Sequence, residues 1–181
     1  MRRIILYLAT SIDGYIARRD GSVDWLSTEA DLGEYSFTDF LARTDTIIMG
    51  RTSYEQTLTF GDWAFASHRT CVLTSRSFQP STPATEGISD DQAGFIRRLK
   101  EEPGKDIWCF GGGRLNAFLL QEDLIDELMI FIQPVTLGDG IGLFGNATMP
   151  VRRFRRREVV PLGDGFTLLW FERQETPAAA L

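Results

Sequence analysis

The sequence predicts an α/β fold with a mostly parallel central sheet and a C-terminal antiparallel hairpin. Three observations carry that expectation. Short apolar runs alternate with segments of helical periodicity as far as Gln121. A strand-like run at residues 107–110 meets Gly111, Gly112 and Gly113, and a helical pattern follows through Leu115, Phe118 and Leu119. Two further strand-like runs close the chain around Gly163, Asp164 and Gly165.

Residues 3–10 read as a buried strand. Residues 11–28 are loop-like, with Asp13-Gly14 and Asp20-Gly21 as turn signals. Residues 31–42 carry Leu32, Tyr35, Phe37, Phe40 and Leu41 at helical spacing, so one amphipathic helix is expected there. Residues 45–49 form a strand ending at Gly50, and residues 51–59 a short helix. Residues 70–73 are another strand. Residues 77–87, rich in Pro, Ser and Thr, make a surface loop with room for one short strand. Ser89 or Asp90 is placed to cap a helix that Pro103-Gly104 stops. After the glycine turn and its helix come an apolar strand at 127–135 and a glycine-rich loop at 137–144. The hairpin strands follow at 153–160 and 166–172. No repeat or linker divides the chain, so one domain over residues 1–175 is expected, with a frayed tail at 176–181.

Composition narrows the function. The chain has 181 residues, 43% of them hydrophobic, and a net charge of −6. That charge argues against nucleic-acid binding. The run Arg152-Arg153-Phe154-Arg155-Arg156-Arg157 is better read as a charged edge strand than as a polyanion patch. No apolar run reaches bilayer length and no cleavage signal follows residues 4–9, so no membrane partner is expected and the cytoplasm is the expected location. One histidine, His68, and two scattered cysteines, Cys71 and Cys109, do not make a zinc site, and no metal is expected. No G-x-S-x-G elbow is present.

The chemistry gathers at three strand ends. In an open α/β sheet, ligands bind beyond the carboxyl ends of the strands. Gly50 with Arg51 and Thr52 offers close approach, helix N–H groups and a cation. Thr74, Ser75 and Arg76 offer hydroxyls and a guanidinium suited to a phosphate monoester. The Gly111–Gly113 turn opens a helix but lacks the last glycine of a dinucleotide fingerprint, since Asn116 stands there. Each alone reads equally as a cap or a turn. Together they suit a dinucleotide with separated phosphates.

Five motifs arrive in order over residues 2–172. They are Ser11-Ile12-Asp13-Gly14-Tyr15-Ile16-Ala17, Ile48-Met49-Gly50-Arg51, Leu73-Thr74-Ser75-Arg76, Phe110-Gly111-Gly112-Gly113-Arg114, and Ile132-Gln133-Pro134-Val135-Thr136-Leu137-Gly138. The set resembles the dihydrofolate reductase superfamily. Within it, the closer resemblance is to the branch of the riboflavin-biosynthesis C-terminal reductase domain, which small stand-alone bacterial proteins share.

The resemblance implies a three-layer α/β/α dihydrofolate-reductase-like fold and NADPH-dependent hydride transfer to a C=N bond of a small-molecule substrate. Gly50, Arg51 and Thr52 would line the phosphates and adenosine, and Thr74, Ser75 and Arg76 would meet the 2′-phosphate. Gly111, Gly112, Gly113, Arg114 and Leu115 would follow the pyrophosphate and nicotinamide, with a cis Gly111–Gly112 peptide as in dihydrofolate reductases. Ala9, Thr10 and residues 11–16 would cover the nicotinamide. The proton would come from Asp13 or from the first-helix acids Asp31 and Glu34. Asp13 reads equally as a turn former before Gly14, and the two acids as a solvated helix face. Tyr35, Phe37 and Gln133 would line the substrate pocket. The riboflavin branch acts on a pyrimidine ribosylamine phosphate and would want a cationic pocket, for which Arg114, Arg152 and Arg153 are the candidates. No zinc-binding deaminase motif is present, which leaves the substrate open. A nucleotide-binding module without turnover is the rival. Homodimers are common in the family, and residues 128–135 with the final hairpin would supply the interface.

Overall fold

Successive residues of the buried strands divide between two layers. Ile5, Tyr7, Ile47, Met49, Val72 and Trp108 enter one, whereas Ile4, Leu6, Ile48, Cys71, Ile107 and Cys109 enter the other. A side-chain period of two sends neighbours to opposite faces, and apolar residues at both phases demand cover on both. The computed structural model describes residues 1–27 and 31–174 and supplies that cover.

The strands are β1 (Ile4–Ser11), β2 (Tyr15–Ala17), β3 (Thr44–Gly50), β4 (Arg69–Leu73), β5 (Thr85–Ile88), β6 (Asp106–Gly111), β7 (Glu127–Gln133), β8 (Ile141–Gly142), β9 (Phe154–Pro161) and β10 (Thr167–Arg173). The helices are α1 (Phe37–Ala42), α2 (Arg51–Thr57), α3 (Gln92–Glu101) and α4 (Gly113–Gln121). The main sheet runs β5-β4-β3-β6-β1-β7-β10-β9. Its first six strands are parallel, and β10 and β9 are antiparallel. Phe40 of α1 and Tyr54 of α2 join an aromatic layer with Phe65, Trp108 and Phe131. Ile96 and Leu99 of α3 and Leu115 and Leu119 of α4 join an aliphatic layer on the other face. The expected three-layer α/β/α arrangement is therefore the one found.

Some expectations need correction. The single helix at 31–42 is two pieces. A 3-10 turn spans Gly33–Tyr35, and Gly33 takes a positive φ of 54° that a continuous helix does not allow. Ser36 then caps α1, its Oγ accepting from the Asp39 N–H at 3.2 Å. The cap of α3 is Asp91, accepting from the Gly94 N–H at 3.2 Å, rather than Ser89 or Asp90. The loops at 11–28 and 137–144 each contain a short strand, β2 and β8, which pair with each other. Strand β7 lies between β1 and β10, so Leu128, Met129 and Phe131 belong to the core and do not form a free interface. The expected fraying of 176–181 lies outside the described residues.

The arginine run is an edge strand, as read. Arg155 pairs with Glu172, and Arg157 lies 4.2 Å over the Trp170 ring. Cys71 and Cys109 are free and buried, and burial pushes both thiols up to about 12. His68 is buried between Thr44 Oγ1 at 3.2 Å and Ser67 Oγ at 3.1 Å. Among the described residues, no helix is long and apolar enough to cross a membrane.

Candidate active site

Strands β3 and β6 are paired neighbours, but the chain leaves them in opposite directions. Helix α2 departs toward the aromatic layer and α4 toward the aliphatic one. A crevice opens where adjacent parallel strands part in this way. Glycine stands at both departures. A Cβ on Gly50 would lie 3.7 Å from the Gly111 carbonyl oxygen and 3.9 Å from the Gly112 nitrogen, so the two strand ends nearly touch. The Gly111–Gly112 peptide is cis. Cys109 faces Ile48 and Gly111 faces Met49, which leaves Phe110 as the extra residue of a bulge at the crevice floor. Neither α2 nor α4 has a side-chain cap or an acid in its first turn. Their first N–H groups are the helix's unpaired donors and carry the positive end of its dipole.

The third glycine does something else. A Cβ on Gly113 would stand 2.5 Å from the Gly142 carbonyl oxygen and 2.7 Å from the Gly145 nitrogen. Gly113 therefore admits a protein loop, and no ligand is needed to explain it. Asn116, fully buried, holds the same loop: its Nδ2 donates to the Leu143 carbonyl at 2.7 Å. In the sequence, Asn116 stands out only as the residue that breaks the dinucleotide fingerprint. A polar residue on the apolar face of α4 was the available signal. Above the turn, Ile16 of β2 comes within 3.9 Å of a Cβ placed on Gly112, so the β2–β8 ribbon straps the crevice.

At the end of β4, Thr74, Ser75 and Arg76 line a cavity of about 370 Å³ with Ser77, Phe78 and Gly87. Thr74 Oγ1 accepts from the Arg76 N–H at 3.2 Å and shapes the turn, and Ser75 and Arg76 are exposed. Arg51 is engaged, with Nε donating to Glu55 at 2.6 Å and Nη1 to the Ser77 carbonyl at 3.0 Å. It ties α2 to the rim of that cavity. Thr52 is exposed in the first turn of α2.

The candidate acids differ in their surroundings. Asp13 accepts from Ser11 Oγ at 2.6 Å, from the Gly138 N–H at 2.7 Å and from the Leu137 N–H at 3.1 Å. The Ser11 hydroxyl first, and then these N–H groups, hold its carboxyl below the usual range. It clasps the end of β1 to the loop after β7. Asp31 accepts from the Gly33 N–H at 2.9 Å, and its carbonyl accepts from Gly163 of the hairpin turn at 3.3 Å. Glu34 is exposed on the 3-10 turn. Asp31 thus sits against the β9–β10 turn and Glu34 on the 3-10 turn, and the two do not share a helix face.

The substrate-side residues also separate. Phe37 is 39% exposed, its ring 5.3 Å from Trp108. Tyr35 donates to Glu158 at 2.8 Å, and that carboxylate pushes its phenol up to about 12. Gln133 is 2% exposed and its amide is occupied, with Oε1 accepting from the Ser27 N–H at 3.1 Å and Nε2 donating to the Ser27 carbonyl at 3.3 Å. It anchors the segment ending at Ser27. Ala9 lies in β1 opposite Phe131 and packs against the aromatic layer. Leu115 is a core residue, so only its backbone is at the turn.

The three arginines expected to form a phosphate pocket do not converge. Arg152 donates to the Leu120 and Gln121 carbonyls, at 3.3 and 2.9 Å, at the far end of α4. Arg153 precedes β9, and Arg114 lines a different cleft, along α4.

Residues 2–168 match the family described as the RibD C-terminal domain. The chain belongs to that family. It is 38% identical over 148 residues to YwjB of Bacillus subtilis (strain 168), itself uncharacterized, covering 81% of this chain and 85% of that one. Among solved structures, a Shewanella sp. PV-4 protein named for riboflavin biosynthesis superposes with a TM-score of 0.83 at 26% identity, over 96% of this chain and 99% of that one. Dihydrofolate reductase from Enterococcus faecalis, complexed with NADP(H) and RAB-propyl, shares the fold at a TM-score of 0.69 and 16% identity, over 96% and 97% of the two chains. Fold neighbours that carry reductase names include this dihydrofolate reductase, and the crevice lies beyond the carboxyl ends of parallel strands, where open α/β sheets bind ligands.

Proposed function

We propose that this RibD C-terminal domain protein is an NADPH-dependent reductase. Its acceptor is a C=N bond in a flat heterocycle, a pteridine such as dihydrofolate or a related pyrimidine. The observation that carries this reading is the crevice between β3 and β6, with Gly50 against the Gly111–Gly112 turn and the Thr74–Arg76 cavity beside it.

The residues fit the cofactor. The first N–H groups of α2 and α4 suit its phosphates, and the glycine at Gly50 lets the two helix starts lie close together. Arg76, exposed and without a carboxylate partner among the described residues, suits the 2′-phosphate, with the Ser75 hydroxyl next to it. When bound, NADPH supplies the hydride. The chain supplies the rest. Phe110 and Phe37 present an apolar wall that excludes water and favours a planar acceptor. Asp13 already accepts from three donors and favours its charged form, so it positions the strap. Proton delivery falls to Asp31 or Glu34, whose carboxylates accept fewer bonds.

The scattering of Arg114, Arg152 and Arg153 favours an unphosphorylated acceptor over a ribosylamine phosphate. The test is oxidation of NADPH, and of NADH in parallel, by the purified protein with dihydrofolate. Turnover with NADPH preferred by about tenfold or more is expected, since a charge-assisted contact contributes at least that much. Tight NADPH binding with no turnover of dihydrofolate or of the ribosylamine phosphate would leave the nucleotide-binding module standing instead.

A further inference from the structure

Residues 142–148 form an arch over α4. One foot stands at the helix start, where Gly142 and Gly145 crowd Gly113 and Asn116 donates to the Leu143 carbonyl at 2.7 Å. The other stands at the helix end, where Gln121 Nε2 donates to the Thr148 carbonyl at 2.9 Å. Between the feet the chain stands off and leaves a cavity of about 330 Å³. Arg114, Ala117, Phe118 and Gln121 form its floor, one face of α4 at positions i, i+3, i+4 and i+7. Phe144 and Ala147 belong to its roof. Both phenyl rings are only partly buried where they pack on the aliphatic layer. An arch pinned at both feet cannot settle onto them, so apolar surface stays open under it. A slot of this size, apolar with a few polar groups at its ends, has the make-up of a small-molecule site.

Charge narrows what fits. Most arginines at this end of the sheet are neutralised: Arg18 by Asp24, Arg19 by Asp139 and Arg51 by Glu55. Arg114 has no carboxylate partner among the described residues and opens onto the slot. The slot runs along the outer face of α4, whereas the crevice lies between β3 and β6.

We propose that the cleft under the arch is a second ligand site, taking a small organic monoanion with a flat apolar body. Arg114 holds the anionic head, and Phe118 and Phe144 clasp the ring. The site goes beyond the reductase reading and does not depend on it. The test uses the full chain and two fluorescent probes, anilinonaphthalene sulfonate and its uncharged counterpart phenylnaphthylamine. The wild type is expected to bind one sulfonate per chain, about tenfold or more tighter than the neutral probe. Arg114→Gln should erase that preference. Ala147→Trp, which fills the slot from an exposed roof position, should weaken both probes while leaving NADPH binding unchanged. A preference that survives Arg114→Gln, or probe affinities untouched by Ala147→Trp, would overturn the proposal, as would a wild type that binds neither probe.

Discussion

The two ends of the parallel sheet use polar groups in opposite ways. At the N-terminal ends of the strands, charges are matched inside the protein. Arg2 pairs with Asp45 and donates to Thr46 at 2.7 Å, and Lys100 meets Asp126 at 2.6 Å. Glu127, 2% exposed, takes Arg3, Trp170 Nε1 at 3.1 Å, and Arg43 and Arg157 at 3.7 Å. At the C-terminal ends there are surface ion pairs such as Arg51–Glu55, but the chain also presents glycines, uncapped helix starts and Arg76, which has no carboxylate partner among the described residues. Groups satisfied at folding hold the molecule together and have nothing left to offer a ligand. Groups left unsatisfied contribute little to the fold and mark where binding happens.

That division can be broken at either end. Glu127→Ala should have the largest effect, about 3 kcal/mol lost from unfolding stability, because it strips one carboxylate from several cations. Urea denaturation would show it, with NADPH affinity of the folded protein unchanged. A shift under roughly 1 kcal/mol would mean the buried network is ornamental. Gly113→Ala should cost about 1–3 kcal/mol, since its methyl group would meet the Gly142 carbonyl at 2.5 Å. Thermal unfolding should register that loss in the ligand-free protein. If the loss appeared only in NADPH affinity, the third glycine would serve the cofactor after all. Arg76→Ala should be the mildest, leaving the melting temperature in place and weakening NADPH by about tenfold, or 1.4 kcal/mol, with NADH unaffected. Equal loss for both cofactors would remove the 2′-phosphate from the Thr74–Arg76 cavity.

The sequence made one end more legible than the other. Strands buried on both faces are continuous apolar runs, so β1, β3, β4, β6 and β7 stand out with no knowledge of their partners. The glycines at Gly50 and Gly111–Gly112 mark strand ends for the same local reason. What stayed hidden depends on distant contacts. Strands β2 and β8 are three and two residues long and are joined only by pairing across most of the chain. Nothing near Gly113 says that Gly142 and Gly145 press on it. The spacing of Leu32, Tyr35 and Phe40 is helical although Gly33 and Ser36 break the helix, because both pieces turn toward one aromatic layer. Gln133 is legible as a polar residue in the sequence, but which way its side chain points is set by Ser27, more than a hundred residues away. Of the acids, only the burden on Asp13 separates it from Asp31 and Glu34, and that burden comes from residues 137 and 138.

The meeting of Gly113, Gly142 and Gly145 also bears on how this chain can drift over generations. The contact is backbone against backbone, so neither side has a bulky group whose trimming could make room for a gain on the other. A lineage that adds a side chain at Gly113 must first relocate the loop, and the loop is tied to α4 through Asn116 and to the strap through β8. The start of α4, the arch and the strap are therefore inherited as one block, while the exposed roof position Ala147 is free to vary and to retune what lies beneath it.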